Sequence, residues 1–390
     1  MLVLGAGLQG SACAYDLLQN GAVEKVTVAD LNIDGLPSFL ERYRGDARLE
    51  LVNLDARDED AVLRVMDGKQ ACMNALPYYF NLDMSRLAIR AGLHYCDLGG
   101  NTEIVFNQIE LDGAARERGV SAIPDCGLAP GMVNILAAAG IAELDEPATV
   151  KIRVGGLPQH PEPPLNYQIV YSIEGVLDYY TTLSWVLRGG TPTQVEALTE
   201  IEPVEFPEPV GTLEAFHTAG GLSTMPWTYE GKLRSMEYKT LRYPGHAEIM
   251  KTIRDLGLLD LEPIRVGDQE VVPRQAFIAA VEPKLRKPEG RDLVALRVEA
   301  EGRKDGQPHR IVFDLLDYYD EATGISAMER TTGFSLSITG QMQVRGQVTR
   351  TGVCTPDQCV PADTYIEELG RRGIRIRKTT TEATASASRS

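Results

Sequence analysis

A glycine turn near the N-terminus constrains the fold more than any other feature of the sequence. The apolar run 1–4 stops at a segment that fits the pattern G-x-G-x-x-G, and residues 11–19 then follow helical spacing. Between a strand and a helix this pattern is typical of dinucleotide-binding domains, because glycine lets the backbone approach a pyrophosphate at the helix N-terminus. The predicted cofactor-binding residues of this turn are Gly5, Gly7, Leu8, Gln9 and Gly10.

A carboxylate after the second predicted strand indicates which dinucleotide binds. Asp30 closes that strand 20 residues after Gly10, where a carboxylate holds both ribose hydroxyls of NAD and repels the 2′-phosphate of NADP. No arginine or lysine lies between Asp30 and Pro37 to hold such a phosphate. We therefore expect NAD as the cofactor.

Strands and helices alternate through the first 130 residues. The predicted strands are 1–4, 25–29, 49–53, 71–76, 94–97 and 120–124. Parallel strands need crossover connections, so this rhythm predicts a doubly wound parallel sheet of the Rossmann type in an α/β fold. Ligands of such sheets bind in a crevice at the carboxyl ends of the strands. At those ends the sequence places further candidate cofactor contacts: Asp55, Asn74, Leu76 and Leu98. Of these, Asp55 either approaches the adenine edge or is a solvated loop residue.

From about residue 151 the pattern changes. Four prolines in the segment 158–164 exclude a helix or a central strand there, and alternating strands recur at 233–243, 292–300 and 309–318. This indicates an inserted α+β domain built on a mostly antiparallel sheet. Helical spacing at 331–344 and 363–371 predicts two helices that return to the first domain. The expected division is 1–130 with 331–378 as the Rossmann domain, 131–330 as a substrate-binding and dimerisation domain, and 379–390 as a disordered tail of Thr, Ser and Ala.

Charge and cysteine content narrow the class of partner. Lys plus Arg number 39 and Asp plus Glu number 55, a formal charge of −16, which disfavours nucleic acid and anionic membrane surfaces. No apolar run reaches the ~18–20 residues of a membrane helix, so we expect a cytoplasmic protein. The six cysteines are scattered and read as reduced thiols. Cys354 and Cys359 form the only near pair and lack further ligands, so no metal is predicted.

Several motifs together resemble the saccharopine dehydrogenase superfamily. They are the glycine turn at 5–10, N-A-L-P-Y-Y at 74–79, H-Y-C-D-L-G-G at 94–100, P-D-C-G-L-A-P-G-M at 124–132, E-A-F-H-T-A-G-G at 214–221 and Y-K-T-L-R-Y-P-G-H at 238–246. The resemblance runs from residue 1 to about 376, and within the superfamily it is strongest to the L-lysine 6-dehydrogenases. It implies NAD-dependent oxidation of the ε-amine of L-lysine to allysine, which cyclises. We also expect a homo-oligomer, either a dimer or a tetramer.

The resemblance also implies where the substrate binds. Residues at the T-L-R position hold the carboxylate end of the amino acid, and the strand ends at Tyr78–Tyr79 and Asp97–Leu98 lie between cofactor and substrate. The predicted substrate-binding residues are Tyr78, Tyr79, Thr240, Leu241 and Arg242. From the residues alone, a guanidinium such as that of Arg242 is the natural bidentate partner of a carboxylate.

Oxidation of an amine further requires a base. An ε-ammonium has an ordinary pKa of ~10.4, and hydride leaves its carbon only once the nitrogen has a free lone pair. We favour His246, because its ordinary pKa is ~6.5 and the preceding glycine leaves room for a ligand. A hydrogen-bonded structural role is an equal alternative for any one histidine. The other candidates are His217 and Asp97, with Glu214 and Asp125 as further alternatives.

Two other functions compete with lysine oxidation. A saccharopine or carboxynorspermidine dehydrogenase would act on a secondary amine and needs a second cation for the extra carboxylate. The sequence offers Arg242 and, more weakly, Arg153. A catalytically silent protein would bind NAD without reducing it, since a fold alone does not fix a function.

Overall fold

The N-terminal part of the chain alternates strands and helices, as its hydrophobic pattern predicts. The computed structural model describes residues 1–170 and 172–382. The first strands are β1 (Leu2–Leu4), β2 (Val26–Asp30), β3 (Leu49–Asn53), β4 (Ala71–Asn74), β5 (His94–Asp97) and β6 (Ser121–Ile123). The helices are α1 (Leu8–Gln19), α2 (Ser38–Glu41), α3 (Glu59–Met66), α4 (Asn81–Ala91), α5 (Thr102–Ile109), α6 (Asp112–Glu117) and α7 (Met132–Ala142), with a 3-10 turn at Tyr78–Phe80.

The middle of the chain supplies most of a second sheet. The strands in this part of the chain are β7 (Glu146–Pro158), β8 (Ser184–Arg188), β9 (Thr191–Val195), β10 (Glu202–Glu205), β11 (Thr212–His217), β12 (Ser235–Arg242), β13 (Ile264–Val266), β14 (Gln269–Val271), β15 (Asp292–Lys304) and β16 (Gln307–Tyr318). Of these, β13 and β14 pair only with each other, as a separate two-stranded sheet. The helices in this part are α8 (Ile173–Thr181), α9 (Met225–Thr228), α10 (His246–Asp255) and α11 (Pro273–Leu285). The sequence patterns did not predict β8 to β11.

The C-terminal part contributes to both sheets. Its elements are α12 (Ala327–Val344), β17 (Gly352–Val353), α13 (Pro356–Cys359), α14 (Ala362–Arg371) and β18 (Arg377–Glu382). The parallel sheet has the order β17-β6-β5-β4-β1-β2-β3, which contains the Rossmann order. The second sheet runs β10-β11-β12-β7-β15-β16-β18, with β8 also paired to β12 and β9 paired to β8. Its pairs are antiparallel except β12 with β7, so the predicted α/β fold with a second, mostly antiparallel sheet is confirmed.

Helix α12 returns to the parallel sheet and packs on α1 and β4. Two glycines permit this approach: a Cβ on Gly333 would lie 2.7 Å from the Gln9 carbonyl oxygen, and one on Gly340 would lie 2.3 Å from the Met73 sulfur. Asp16 links α1 to helix α12 and to the end of α14, because it accepts hydrogen bonds from Ser337 at 2.6 Å and Arg372 at 2.6 Å. The C-terminal part of the chain therefore packs against the glycine turn and α1.

The predicted disordered tail is wrong for residues 379–382. These residues belong to β18, which pairs antiparallel with β16 and places Thr379 opposite Val312. Lys378 adds an ion pair to Glu143 at 2.5 Å. Backbone hydrogen bonds to an open sheet edge need no apolar side chains, so a polar composition did not exclude a strand. Residues 383–390 lie outside the described residues.

One apolar core joins the two sheets. Its buried members include Val3 and Met73 of the parallel sheet, Val150 and Phe313 of the second sheet, and Leu336 of α12. Helices α7 and α12 of this core pack on β15 of the second sheet. No helix among the described residues is long and apolar enough to cross a bilayer.

Candidate active site

A cavity of about 540 Å³ lies between the carboxyl ends of the parallel strands and the second sheet. Its walls come from the glycine turn, the segments after β4, β5 and β6, strands β7 and β12, and helices α8 and α12. The predicted site residues that line it are Gln9, Tyr78, Tyr79, Leu98, Thr240 and Arg242. Segments far apart in the sequence thus meet at one place.

The glycine turn has the shape that a dinucleotide phosphate requires. A Cβ on Gly10 would lie 1.9 Å from the Gly5 carbonyl oxygen, and one on Gly5, where φ is +96°, would lie 2.9 Å from the Ala75 oxygen. At Gly7, by contrast, nothing lies within 4 Å of the added carbon. Gly7 caps α1 without a side-chain hydrogen bond, so the first amides of the helix face open space. The residues present therefore fit a pyrophosphate.

Asp30 lies beside this turn at the end of β2. Its carboxylate accepts hydrogen bonds from the Ala6 amide at 2.7 Å and the Asn32 amide at 2.9 Å. The structure adds a cation that the sequence pattern missed, since Arg44 donates to the Ile33 carbonyl at 2.7 Å. The same Arg44 is also ion-paired with Glu41.

Asp55, beyond β3, has a different partner from the one considered. Its carboxylate is held by Arg57, with Nη2 to Oδ2 at 2.7 Å, and the hydrogen bonds from Arg57 lower the pKa of Asp55 to about 2. The sequence left two alternatives for Asp55, a contact with the adenine edge or a solvated loop residue. Its position matches the solvated loop residue, because its side chain pairs with an exposed arginine.

Arg242 and Thr240 project into the cavity from β12. Alternation along a strand sends residues 240 and 242 to one face and Leu241 to the other. Leu241 is buried in a separate apolar cluster with Leu157 and Leu213, so it does not fit the predicted substrate-binding role. Arg242 is only 2% exposed. Its Nη1 donates to the Leu241 carbonyl at 2.9 Å, and its guanidinium lies 4.9 Å from the Tyr167 ring centre. The guanidinium is thus held in place before any ligand binds.

The turns after β4 and β5 are stiffened by buried polar side chains. Asn74 donates to Asn81 at 2.9 Å and accepts from the Leu76 amide at 3.2 Å. Asp97 is fully buried and accepts from the Gly99 amide at 2.7 Å and Gln108 at 2.7 Å. Because Asp97 is not among the lining residues, it does not fit a base in contact with substrate. These groups position Leu98 and the tyrosines instead.

His246 does not fit the base role favoured from the sequence. It is 2% exposed, does not line the cavity, and both its ring nitrogens are engaged. Nδ1 lies 3.0 Å from the Leu165 carbonyl and Nε2 lies 2.9 Å from the Tyr180 hydroxyl. Burial lowers the pKa of His246 to about 3. Glu214 is likewise occupied, since it accepts from the Gly245 and Ala247 amides at the start of α10.

His217 lies outside the cavity as well. It is fully buried, with Nε2 3.2 Å from Glu200 and 3.3 Å from Arg188. Burial lowers the pKa of His217. Glu237 completes a cluster of the kind that could hold a metal ion, but Arg188 is ion-paired with both glutamates. The cluster thus already contains a cation, and neither predicted histidine reaches the site.

Sequence reasoning missed the wall that α8 contributes. Glu174, Asp178 and Tyr179 line the cavity, and Asp178 is ion-paired with Arg274. A second chamber of about 610 Å³ shares Tyr78, Gly100, Gly175, Asp178, Tyr179 and Ala219 with the cavity, so the two spaces are adjacent. The signal available was the S-I-E-G-V-L-D-Y-Y segment, in which Ser172 caps α8 by accepting from Gly175.

The Rossmann strand order, the glycine turn and the cavity beside it define a two-domain NAD(P)-binding oxidoreductase. The model of the saccharopine dehydrogenase NADP binding domain matches residues 1–123, and that of the saccharopine dehydrogenase C-terminal domain matches residues 127–374. The chain belongs to the saccharopine dehydrogenase family. The superfamily resemblance of the motifs is therefore confirmed, while the activity within the family stays a prediction.

Individual relatives cover nearly the whole chain at low identity. The L-glutamate-forming, NADP-dependent saccharopine dehydrogenase of Pyricularia oryzae is 23% identical over 97% of this chain and 98% of its own. The carboxynorspermidine synthase of Vibrio cholerae is 23% identical over 96% and 95%. Apo saccharopine dehydrogenase from Saccharomyces cerevisiae has a TM-score of 0.79 at 20% identity, covering 97% of this chain and 99% of that one. Homospermidine synthase from Legionella pneumophila in complex with NAD has a TM-score of 0.69 at 10% identity, covering 100% and 93%. Both structures support the fold.

Proposed function

We propose that this chain is an NAD-dependent dehydrogenase that oxidises the ε-amine of L-lysine to allysine and releases ammonia. Allysine then cyclises to a piperideine carboxylate. The observation that carries the proposal is the buried guanidinium of Arg242 in the wall of a cavity that borders the glycine turn. A preorganised guanidinium is suited to one α-carboxylate.

The charges around both chambers favour a substrate with one carboxylate and a cationic far end. Among the described residues that line the two spaces, Arg242 is the only arginine or lysine. The lining carboxylates are Glu174, Asp178 and Glu103. Lysine has this charge pattern, since its α-carboxylate lies at one end and its ε-ammonium at the other.

Separate residues of this chain would bind the cofactor and the substrate. Gly7, Leu8 and Gln9 would hold the pyrophosphate of NAD and Asp30 its ribose, and the bound cofactor supplies a hydride acceptor. Arg242 would hold the substrate carboxylate, with the Thr240 hydroxyl beside it. The Gln9 Oε1 atom is buried without a hydrogen-bond partner among the described residues and lies at the cavity, so a donor on a ligand would satisfy it.

Oxidation of a secondary amine is the second candidate function, and the names of the relatives favour it. The second chamber provides room for a larger amine beyond the shared wall. A reaction that forms L-glutamate requires a substrate with the two carboxylates of a glutamyl portion. The single lining cation does not suit that substrate. A carboxylated polyamine, as in the name of the Vibrio cholerae relative, fits one guanidinium and several carboxylates better.

A substrate panel separates these functions. Purified protein is mixed with NAD or NADP and with lysine, ornithine, saccharopine or carboxynorspermidine, while cofactor reduction and ammonia are followed together. Lysine oxidation gives equal amounts of NADH and ammonia, and lysine deuterated at Cε gives deuterated NADH. Reduction of cofactor without ammonia, with a secondary amine as the better substrate, selects the second candidate. Cofactor binding without reduction by any amine indicates a silent NAD-binding protein.

A further inference from the structure

We propose that Ser223 and Asp125 form the proton-accepting pair of this site. Ser223 contacts the substrate amine, and Asp125 receives the proton through the serine hydroxyl. This inference rests on the proposed amine oxidation and names the residues that perform its first step. It replaces the base role that the histidines do not fit.

The contacts place this pair at the junction of the two chambers. Ser223 lines the second chamber and its hydroxyl donates to Oδ2 of Asp125. The other oxygen, Oδ1, lies under Gly99, where an added Cβ would be only 1.9 Å from it. Gly99 itself lines the first chamber. Asp125 thus lies directly behind the walls of both spaces, and Ser223 forms its link to the interior.

One oxygen of the Asp125 carboxyl group can still accept a hydrogen bond. Asp125 is 2% exposed, and its Oδ1 has no hydrogen-bond partner among the described residues. A buried polar atom without a partner costs free energy, and such an atom in a native fold calls for an explanation, of which a catalytic role is one. The lone pairs of this carboxyl are therefore not used up in holding the fold.

Backbone strain occurs at both members of the pair. Asp125 has φ of +64° and Ser223 has φ of +48°, in the left-handed region that residues other than glycine rarely adopt. Asp125 follows β6 in the Rossmann domain, whereas Ser223 lies after β11 in the second domain. Residues held in sparsely populated backbone conformations cluster at functional sites.

The surroundings of Asp125 favour its neutral form. The titratable groups that face it are Asp97 on β5, Asp357 on α13, Tyr179 on α8 and the adjacent Cys126, all of them acids. Burial is the main cause that raises the pKa of Asp125 to about 8, and the hydrogen bond from Ser223 opposes this rise. A carboxyl group with this pKa is ionised above about pH 8, and in that form it can accept a proton from the substrate.

The other carboxylates at the cavity are less suited to this step. Glu174 and Glu103 are exposed to solvent, and Asp178 is ion-paired with Arg274. The proton balance of the proposed step is simple. The substrate ammonium gives one proton to the Ser223 oxygen while the serine proton moves to Oδ2 of Asp125. The amine is left neutral with a free lone pair, and Asp125 becomes a carboxylic acid.

The test compares pH–rate profiles of three variants with lysine and NAD. Asp125→Asn keeps the size, the left-handed backbone and an acceptor for Ser223, but cannot take a proton. Ser223→Gly removes the hydroxyl at a φ that glycine adopts without strain. Asp357→Asn is the matched control, a nearby, partly buried acid that lines neither chamber. Binding of NAD and of lysine is measured by fluorescence titration for each protein.

The relay predicts a different outcome for each variant. Wild type loses activity below about pH 8, where Asp125 is protonated. Asp125→Asn binds both ligands normally but loses about 10²–10⁴-fold in plateau rate, as removal of a general base does. Ser223→Gly moves the acidic limb to higher pH, because the lost hydrogen bond no longer lowers the pKa of Asp125. Asp357→Asn keeps the plateau rate.

Contrary results identify which proposal fails. An active enzyme whose acidic limb and plateau survive in Asp125→Asn overturns the relay and leaves lysine oxidation standing. If Asp125→Asn does not fold, the Ser223→Gly profile decides, and an unmoved limb there overturns the relay. If none of the amines in the substrate panel supports reduction of NAD by wild type, the proposed function and the relay are overturned together.

Discussion

Replacing Arg242 with alanine tests the proposed substrate site most directly. A carboxylate bound to this guanidinium is removed from water, because Arg242 is 2% exposed. Loss of one partner from a buried charge pair costs about 2–5 kcal/mol. At about 1.4 kcal/mol per decade, kcat/KM for lysine should fall by roughly 30-fold to several thousand-fold. NAD binding should not change, because the glycine turn makes no use of Arg242.

The same substitution also affects stability, and the assay must separate the two effects. Arg242 donates to the carbonyls of Leu241 and Gly156, and each lost hydrogen bond costs about 1 kcal/mol of unfolding free energy. Stacking on Tyr167 adds about 0.5–2 kcal/mol. Arg242→Lys is the control variant, since it keeps the charge but lacks the planar fork that grips both carboxylate oxygens.

A substrate without the carboxylate completes the test. Steady-state rates are measured for lysine and for 1,5-diaminopentane, which is lysine without that group. Arg242→Ala should lower kcat/KM for lysine and leave the poor rate with the diamine nearly unchanged, with Arg242→Lys between wild type and Ala on lysine. Equal losses on both substrates, or normal turnover of lysine, would refute the assignment of Arg242 to the carboxylate.

Three further predictions concern the cofactor, a histidine and the C-terminal strand. Wild type should prefer NAD in kcat/KM, and Asp30→Ala with Leu31→Arg should shift the ratio toward NADP; equal use of both cofactors by wild type would contradict this. The low folded pKa of His246 stabilises the fold above the ordinary pKa of ~6.5, and this contribution is lost as pH falls toward 3. In His246→Gln the free energy of unfolding, measured with urea, should therefore fall less than in wild type between pH ~6.5 and about 3. The substitution should lower that free energy by about 1–3 kcal/mol at pH 7 and leave the pH–rate profile unchanged. Deleting residues 377–390 bares the edge of β16 and should lower the melting temperature without changing kcat.

Local sequence patterns were sufficient to predict the parallel sheet. Apolar strands that end at glycine or aspartate, separated by helical spacing, specify crossover connections wherever they occur. The G-x-G-x-x-G turn is equally local, because Gly10 and Gly5 touch each other. The pair Thr240 and Arg242 was found from a motif, and strand alternation alone would have excluded Leu241.

Tertiary structure decided what the ionisable side chains do. The local sequence of a histidine after Y-P-G is the same whether its side chain faces a ligand or the core. Only the arrival of Tyr180 and Leu165 from 66 and 81 residues away fixes both nitrogens of His246. The link between Ser223 and Asp125 joins residues 98 positions apart, and β18 is a strand because β16 offers it an open edge. Secondary structure follows from neighbours along the chain, whereas burial, and with it protonation, depends on which distant segments cover a group.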